Sequence, residues 1–313
     1  MARSPLSVSV IIPTKNRPVD LENTVRSLLT QTAKPHELII VDQTPGEESV
    51  LAIRRLYAEG FPDPQGDSHL IYLHEPSISG ASVARSRAME VASGEIWLFL
   101  DDDVILEKEF LEALVDTYQR YPAAAGVSGI ITNYHPPILA FRAWSWLFAR
   151  GPFHDDRQPI YWKAAKLGQR EPIRVTRLGG GLMSFRMGSV QGVRFDENLT
   201  GASEGEDVDF CMHLGKNATL LIAPKARLFH KQSPAGRTGK HWLYLHARTN
   251  WYLYRRNWNH GLVNRMCFVW LNLGYGVAAA LVSIHRRSLL PWAGLFKGVG
   301  QSRATVRGAA VSG

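Results

Sequence analysis

The sequence predicts an α/β fold built on a mainly parallel, twisted sheet, and three observations lead to this fold class. In the first third of the chain, short runs of β-branched residues alternate with segments of helical periodicity. Three of these runs end in polar or acidic residues, as strands do where a parallel sheet binds its ligand. Of the 313 residues, 45% are hydrophobic and 20% are charged, which excludes a disordered or collagen-like chain.

The predicted elements follow one another at short intervals. Residues 7–12 form a buried strand that Pro13 is expected to end, and a helix starts near residue 20. Along that helix Leu21, Val25 and Leu28 repeat at helical spacing. The later elements are strands at residues 37–41, 70–73 and 96–100, with helices at residues 47–57 and 81–92 between them.

An acidic triplet, Asp101-Asp102-Asp103, directly follows the strand of residues 96–100. A single Asp after a strand could equally be a turn residue or a helix cap. Three adjacent carboxylates in a partly desolvated cleft, however, repel one another unless a cation offsets their charge. Because oxygen ligands suit Mg²⁺ and Mn²⁺, the triplet predicts a site for one of these divalent ions.

Two later segments could complete such a site. Residues 200–210 form a Gly-rich acidic loop that leads into a predicted helix, although Glu204, Glu206 and Asp209 could also be caps or solvated neighbours. Residues 220–223 and 227–230 read as short extended runs, which place His230 at the end of a strand. A lone His is more often structural, but this one precedes a cationic loop, residues 231–240, and is therefore better placed to bind a metal and a diphosphate.

Charge divides the chain into two unlike parts. The last acidic residue is Asp209, so residues 210–313 carry 15 Lys and Arg and a formal charge of +15, against −7 for residues 1–209. Such a basic block usually meets phosphates, nucleic acid or the surface of a membrane. The basic part is therefore expected to have an anionic partner.

Cysteine content and the N-terminus bear on the compartment. Cys211 and Cys267 cannot build a disulfide framework, and no Cys-x-x-Cys or Cys/His cluster indicates structural zinc. A reducing compartment is therefore expected. The first residues lack the apolar core of a signal peptide, so the catalytic part is expected to stay in the cytoplasm, where it is made.

The chain is predicted to consist of a catalytic domain, residues 1–235, and a basic, aromatic-rich helical region, residues 236–313. Residues 266–284 form an apolar run of 19 residues, and at about 1.5 Å per residue this length is borderline for crossing a bilayer. We expect helices that lie on or dip into the cytoplasmic leaflet; a helix that covers the catalytic domain is the alternative. The aromatic residues 136–159 are predicted to form a helix packed on the domain, or a lip that contacts an apolar acceptor or the membrane.

Six segments in order carry a resemblance to a known family: residues 8–17, 38–42, 80–86, 98–103, 179–185 and 205–207. Each segment is weak alone, but the ordered set around an aspartate cluster is specific. The chain resembles the inverting family 2 glycosyltransferases, and among them a bacterial rhamnosyltransferase-like branch, over residues 7–230. The resemblance implies the GT-A fold, a Rossmann-like nucleotide-diphospho-sugar transferase domain, followed here by the helical, membrane-associated segment.

The resemblance also implies where the nucleotide sugar binds. It assigns the donor to nine residues: Pro13, Thr14, Arg17, Asp42, Arg85, Asp101, Asp102, Gly180 and Gly181. Within this set Pro13 and Thr14 would line the base, and Asp42 would bond the base or the ribose. Arg85 would contact the nucleotide and Asp101 the ribose.

The remaining implied roles concern the metal and the chemistry. Asp103 and His230 would hold the divalent metal, Mn²⁺ or Mg²⁺, with Asp102 as a possible helper. Asp207 would be the general base that takes the proton of the acceptor hydroxyl. The two glycines, Gly180 and Gly181, would let the backbone approach the donor sugar or the acceptor closely.

We therefore expect a glycosyltransferase that moves a sugar from a nucleotide donor to a saccharide or lipid-linked acceptor in cell-envelope glycan synthesis, peripheral or monotopic on the inner face of the cell membrane. A metal-dependent nucleotidyltransferase and a non-enzymatic adaptor for membranes or nucleic acid are the alternatives. Nucleic acid is not an expected partner, because that reading leaves the Asp triplet and Glu206-Asp207 without a role.

Overall fold

The computed structural model describes residues 6–58, 69–157, 170–199, 205–215, 217–233, 242–258 and 260–311, with side chains described up to residue 302. The chain forms two compact units. The first consists of Met1–His135 with Asp156–Arg237, and the second of Pro136–Asp155 with Thr238–Gly313.

Within the described residues, nine strands of the first unit form one sheet. They are β1 (Val8–Thr14), β2 (Glu37–Asp42), β3 (His69–His74), β4 (Ile96–Leu100), β5 (Val104–Leu106), β6 (Ala124–Ile131), β7 (Ile173–Val175), β8 (Leu182–Arg186) and β9 (Thr219–His230). Their order across the sheet is β3-β2-β1-β4-β8-β6-β9-β5, and β7 pairs with β9 outside this path.

The strand directions bring several chain ends to one edge of the sheet. Strands β3, β2, β1 and β4 are parallel, and β8 runs antiparallel between β4 and β6. Strand β9 is parallel to β6, so it points the same way as β4. The carboxyl ends of β1, β2, β4 and β9 therefore share an edge with the amino end of β8. The predicted α/β class with a twisted, mainly parallel sheet is confirmed.

Helices cover both faces of the sheet. The first unit contains α1 (Pro18–Leu29), α2 (Glu48–Ala58), α3 (Ala81–Val91), α4 (Phe110–Arg120) and α6 (Glu206–His213). Helix α5 (Leu139–Phe148) belongs to the second unit. Successive residues of β1 point to opposite faces: Val10 and Ile12 pack in the cluster that includes Leu21 of α1, whereas Ile11 packs in the one that includes Ala84 of α3. Each face of the sheet therefore has its own apolar core.

Most predicted elements occur within two residues of their expected bounds, and β4 occupies the predicted residues 96–100. The expectation that Pro13 ends the first strand is wrong, because β1 continues to Thr14 and pairs there with Asp42 of β2. Pairing of β1 with β4 stops at Ile11. Pro13 thus has a strand on one side only, where its missing N–H is tolerated. The two runs predicted at residues 220–223 and 227–230 belong to one strand, β9.

The second unit consists of α5 (Leu139–Phe148), a short 3₁₀ turn (Gly151–Phe153), α7 (Trp242–Asn257), α8 (Leu262–Arg286) and α9 (Leu290–Val311). Aromatic rings of α5 pack on α8; the Trp144 and Tyr275 rings, for example, stack at 5.4 Å. The helix predicted within residues 136–159 thus belongs to this unit, which the sequence-based division does not foresee. The predicted boundary after residue 235 lies outside the described residues and stays a prediction.

Candidate active site

The acidic triplet lies where β4 ends, beside the last residue of β9. The register of the short strand β5, which begins after the triplet, pairs Val104 with His230. This pairing brings the imidazole to the carboxylates: Nε2 of His230 lies 2.9 Å from Oδ1 of Asp103 and 3.8 Å from Oδ2 of Asp101. One ligand atom from each of these three side chains lies within 4.8 Å of the others.

The donor atoms of this Asp101/Asp103/His230 cluster suit a divalent cation. Oδ1 of Asp103 is buried and accepts no aligned N–H or O–H bond from any described residue, although His230 Nε2 is close. Two carboxylate oxygens and one ring nitrogen converge on one position, as ligands of a metal do. Space is kept free beside them by Gly181, since a Cβ on this residue would lie 2.7 Å from Oδ2 of Asp101.

The charge of Asp103 is stabilised by its neighbours. Burial alone would raise the pKa of its carboxyl, but the His230 imidazole, the N–H of Ser233 and the charge of Arg17 outweigh burial and lower that pKa. The Ser233 N–H donates to Oδ2 of Asp103 at 2.8 Å. Asp103 is therefore held as a carboxylate before any cation binds.

Asp102 is not part of this cluster and instead bonds residues at and after the end of β1. Its carboxylate accepts hydrogen bonds from the Thr14 hydroxyl at 2.7 Å and from Arg17 at 2.9 Å. Burial, the largest effect, raises the pKa of Asp102 to about 6, although these two donors lower it. Asp102 thus connects two of the predicted nucleotide-binding residues, Thr14 and Arg17, to the acidic triplet.

Asp42, at the end of β2, is fully buried and pairs with Thr14 at the end of β1. Its Oδ1 accepts the Thr44 N–H at 2.9 Å and its Oδ2 accepts the Tyr72 hydroxyl at 2.7 Å. Pro13 and Thr14 pair with Val41 and Asp42 in the β1–β2 ladder. The structure therefore brings Pro13, Thr14, Arg17 and Asp42 together, as predicted for a nucleotide pocket, while their contacts with a nucleotide stay a prediction.

A buried arginine connects the Asp101/Asp103/His230 cluster to a second pair of carboxylates. Arg85 of α3 is 1% exposed, and its guanidinium donates to Asp101 at 3.3 Å, to Glu206 at 2.8 Å and to the Gly180 carbonyl at 2.8 Å. Burial and the charge of Asp207 raise the pKa of Glu206, and Arg85 opposes this shift. The predicted contact of Arg85 with the nucleotide stays a prediction.

Asp207 occupies the first turn of α6 and lies against the turn before β8. Its Oδ2 accepts the Arg157 guanidinium at 2.9 Å and the Gly180 N–H at 3.1 Å, and its Oδ1 accepts the Val208 N–H at 2.8 Å. A Cβ on Gly180 would lie 2.6 Å from Glu206 Oε1, so a larger residue here would displace the carboxylate that Arg85 bonds. Gly180 and Gly181 therefore lie between Asp207 and the Asp101/Asp103/His230 cluster.

The roles of several residues in this site could not be predicted from the sequence. Arg157 carries no local motif, and its distance of 50 positions from Asp207 hides the contact. Asp20, whose carboxylate accepts the Ser233 hydroxyl at 2.5 Å, reads only as a residue at the start of a helix. Glu206 could be recognised only as the neighbour of Asp207. Residues 200–204, including Glu204, and residues 234–240 of the predicted cationic loop lie outside the described residues.

Comparison with known proteins decides the family. The family described as Glycosyl transferase family 2 matches residues 9–177, which is more than half of the chain. The chain belongs to the family 2 glycosyltransferases. This glycosyltransferase is 29% identical to the succinoglycan biosynthesis protein ExoM of Rhizobium meliloti strain 1021 over 247 residues, which are 78% of this chain and 72% of ExoM.

Other relatives match over shorter stretches. The putative teichuronic acid biosynthesis glycosyltransferase TuaG of Bacillus subtilis strain 168 is 36% identical over 124 residues, which are 39% of this chain and 46% of TuaG. The glucosyl-dolichyl phosphate glucuronosyltransferase of Haloferax volcanii is 33% identical over 40% of this chain and 38% of its own length. The rhamnosyltransferase-like branch stays a prediction.

Solved structures support the GT-A fold. The mannosyltransferase PcManGT of Pyrobaculum calidifontis, solved with GDP-Man and Mn²⁺, has a TM-score of 0.58 at 17% identity, over 96% of this chain and 87% of PcManGT. GalNAc-T7, solved with UDP, GalNAc and Mn²⁺, has a TM-score of 0.57 at 17% identity, over 91% of this chain and 58% of GalNAc-T7. At these identities the likeness establishes the fold alone.

Proposed function

We propose that this glycosyltransferase moves a sugar, with inversion, from a nucleoside-diphosphate donor to a saccharide or lipid-linked acceptor in cell-envelope glycan synthesis. One observation carries the proposal: the buried guanidinium of Arg85 donates hydrogen bonds to Asp101, to the Gly180 carbonyl and to Glu206. Asp101 belongs to the Asp101/Asp103/His230 cluster, and Glu206 is the neighbour of Asp207. The cation site and the candidate base therefore belong to one continuous site.

Asp101, Asp103 and His230 would hold the divalent metal, as their convergent ligand atoms support. When bound, the ion supplies positive charge to the diphosphate as the glycosidic bond breaks. Mn²⁺ is our preferred ion, because the mannosyltransferase and GalNAc-T7 were both solved with it. Mg²⁺ would meet the same oxygen ligands.

Asp207 would act as the general base, and its hydrogen bonds indicate which atom takes the proton. Oδ2 already accepts two N–H groups, whereas Oδ1 accepts only the Val208 N–H among the described residues. The free lone pair of Oδ1 is therefore available to an acceptor hydroxyl. A single base of this kind supports direct displacement, which inverts the anomeric centre, and typically contributes about 10²- to 10⁴-fold in rate.

The nucleotide would bind where β1 and β2 end, against Pro13, Thr14 and Asp42. Asp102 would fix this pocket by holding Thr14 and Arg17 in place, rather than by binding the donor. The proposal of a cell-envelope acceptor rests on the names of relatives, which include proteins of succinoglycan and teichuronic acid synthesis. A further relative, from Campylobacter jejuni, is named for an undecaprenol-linked substrate.

A cytoplasmic membrane location is part of the proposal. The second unit contains twelve Lys and Arg and a single acidic residue, Asp155. Clustered cations are attracted to anionic lipid headgroups. The enzyme would thereby meet lipid-linked acceptors at the surface where they are displayed.

The decisive test replaces Asp207 by Asn. Donor binding is measured as the thermal shift that a panel of UDP-, GDP- and dTDP-sugars produces with Mn²⁺, and turnover as nucleoside-diphosphate release with saccharide and polyprenyl-phosphate-linked acceptors. We expect Asp207→Asn to keep the thermal shift and to lose at least about 10²-fold in turnover. Asp116→Asn, on the exposed side of α4, is the matched control.

Two results would contradict the proposal. Unchanged turnover of Asp207→Asn would remove this residue from its role. Release of pyrophosphate instead of a nucleoside diphosphate would indicate a nucleotidyltransferase. An inverted anomeric configuration in the product, measured by NMR, is the expected outcome of direct displacement.

A further inference from the structure

Helix α8 exposes an apolar face along its whole length. Nine apolar side chains that are between 42% and 75% exposed repeat every three or four residues, and we call them the apolar stripe: Leu262, Val263, Met266, Val269, Trp270, Leu273, Val277, Leu281 and Ile284. At 100° per residue they cover an arc of about 120°. Between Arg265 and Arg286 the helix carries no Lys, Arg, Asp or Glu.

The opposite face of α8 is buried within the second unit. Phe268, Leu271, Tyr275 and Ala279 are among its buried residues. The indole N–H of Trp144 on α5 donates to the Gly274 carbonyl at 2.7 Å. Half of the helix surface therefore already has a protein partner.

By length and composition α8 could cross a membrane, but its packing argues against this. The indole N–H of Trp251 on α7 donates at 2.7 Å to Asn272, which lies near the middle of α8. The Arg255 guanidinium lies 5.6 Å from the centre of that Trp251 ring and is exposed. If α8 crossed the bilayer, Arg255 would be held at the depth of the hydrocarbon, where a cation is costly.

We infer that α8 lies in the plane of an anionic lipid surface, with the apolar stripe inserted at the level of the headgroups. The inference rests on the proposed membrane location and adds the surface and orientation of contact. Trp270 of the stripe donates its indole N–H to the Leu147 carbonyl of α5 at 2.9 Å. Because Trp146 and Leu147 are also exposed, the apolar surface continues onto α5.

The positive charge of the second unit favours anionic lipid as the partner that covers the apolar stripe. The second unit has a formal charge of +11, which is twelve Lys and Arg less one Asp. Two copies of so basic a unit would repel each other, whereas phosphatidylglycerol headgroups would be attracted. An apolar stripe beside basic residues is the pattern of a helix that lies in a membrane interface.

The test uses the full chain and sedimentation with two kinds of vesicle, phosphatidylcholine alone and phosphatidylcholine mixed with phosphatidylglycerol. We expect binding to the mixed vesicles, and an about tenfold loss of binding when Val269 and Leu273 are both changed to Glu. The double change Leu51→Glu and Val91→Glu, at exposed apolar sites on α2 and α3, adds the same charge and should bind normally. Equal binding by the stripe variant would overturn the inference.

Orientation and occupant need two further measurements. Carbonate extraction at alkaline pH should release the chain from membranes if α8 lies in the interface, and retention would indicate a spanning helix and overturn the inference. A dimer in lipid-free solution that the stripe variant converts to monomer would identify a second copy as the occupant. Mn²⁺-dependent thermal shifts by nucleotide sugars, recorded without vesicles, test the proposed catalytic function separately.

Discussion

Two arginines hold the turn before β8 against the first turn of α6. Arg85 bonds the Gly180 carbonyl and Glu206, and Arg157 bonds the Leu178 carbonyl at 2.6 Å and Asp207. Each guanidinium thus joins one backbone carbonyl to one of two adjacent carboxylates. Charge-assisted bonds of this kind fix the orientation of a carboxylate before substrate arrives. Arg157 is accordingly a positioning residue for Asp207.

Replacement of Arg157 by Gln tests this role. We expect kcat for sugar transfer to fall by about 10- to 100-fold, because Asp207 loses a fixed orientation, whereas donor affinity should be unchanged. Steady-state kinetics and the Mn²⁺-dependent thermal shift measure the two quantities. Arg194→Gln, at an exposed arginine of the same unit, is the control. A larger KM for the donor with an intact kcat would argue against the role.

A double-mutant cycle separates positioning from general stability. In an Asp207→Asn background, Arg157→Gln should cause little additional loss of kcat, because the group that it orients no longer acts as a base. Equal losses in both backgrounds would show that Arg157 acts elsewhere.

Gly181 is expected to be required for metal binding. In Gly181→Ala the new Cβ would lie 2.7 Å from Asp101 Oδ2, so this oxygen must shift from its position in the cluster. We expect Mn²⁺ affinity, measured from the EPR signal of free Mn²⁺, to fall by about tenfold or more. Gly188→Ala is the control, because its Cβ would meet nothing within 4 Å. Equal affinity in both variants would contradict the requirement for glycine at position 181.

At the scale of residues, the sequence most readily predicts those parts of a site whose residues are neighbours in the chain. The contiguous triplet predicts a divalent-cation site, and the position of His230 before a cationic loop indicates a metal and a diphosphate. The resemblance then assigns the metal to Asp103 and His230, and the ribose to Asp101. The bond between Arg85 and Glu206 joins positions 121 apart, and no local pattern indicates it. Such contacts exist only after the sheet has formed.

At the scale of elements, a buried carboxylate fastens three segments of the sheet together. Oε1 of Glu37, at the start of β2, accepts the Ser9 hydroxyl of β1 at 2.5 Å and the Ser93 N–H before β4 at 2.7 Å. Burial raises the pKa of Glu37, but the hydrogen bonds outweigh burial and lower it below the ordinary value of 4.5. Ionised Glu37 therefore stabilises the folded sheet.

The sign of this shift predicts a pH dependence. Because the pKa is lower in the folded state, the stabilisation is present above the unfolded pKa and is lost as pH falls through the folded value. Glu37→Gln should lower the free energy of unfolding by about 1–2 kcal/mol at pH 7, and by progressively less as the pH falls below 4.5. Urea unfolding at several pH values measures this, with the exposed Glu90→Gln as control. A constant difference at all pH values would contradict it.

The parallel strands β1 to β4 are predictable from the sequence, and so are two runs of β9, whereas β6 and β8 are not. Strands β1, β2 and β4 are continuous apolar runs that end in polar residues, and their helices repeat at regular spacing. Strands β6 and β8 contain Gly, Ser or Arg among their apolar residues and were not predicted as strands. The antiparallel position of β8 depends on its pairing with the distant residues of β4, such as Leu182 with Leu100, rather than on a local pattern. Local periodicity carries no record of that pairing.

At the scale of the whole molecule, charge is unevenly divided. The first unit has a formal charge of −3, from 24 basic and 27 acidic residues, and the second unit has +11. The excess of positive charge in residues 210–313 was evident from sequence. The assignment of residues 136–155 to the same unit was not, because their neighbours in the chain belong to the first unit.

This division predicts that vesicle binding depends on salt. Raising NaCl from about 0.05 M to about 0.5 M should weaken binding to phosphatidylglycerol-containing vesicles by about tenfold, because salt screens the attraction between Lys or Arg and the headgroups. Sedimentation at both salt concentrations measures the change. Binding to pure phosphatidylcholine, which has no net charge, should vary much less. Salt-independent binding to both would mean that charge makes no contribution.

The reversed direction of β8 determines where the two glycines that precede this strand lie. Because β8 runs against β4, Leu182 pairs with Leu100, and the Asp101 N–H bonds the Gly181 carbonyl at 3.3 Å. A co-directional strand of the same five residues would carry the glycines to the far rim, about 17 Å away. One inverted strand thus sets the Gly180–Gly181 backbone beside the acidic triplet, at the rim where the co-directional strands finish.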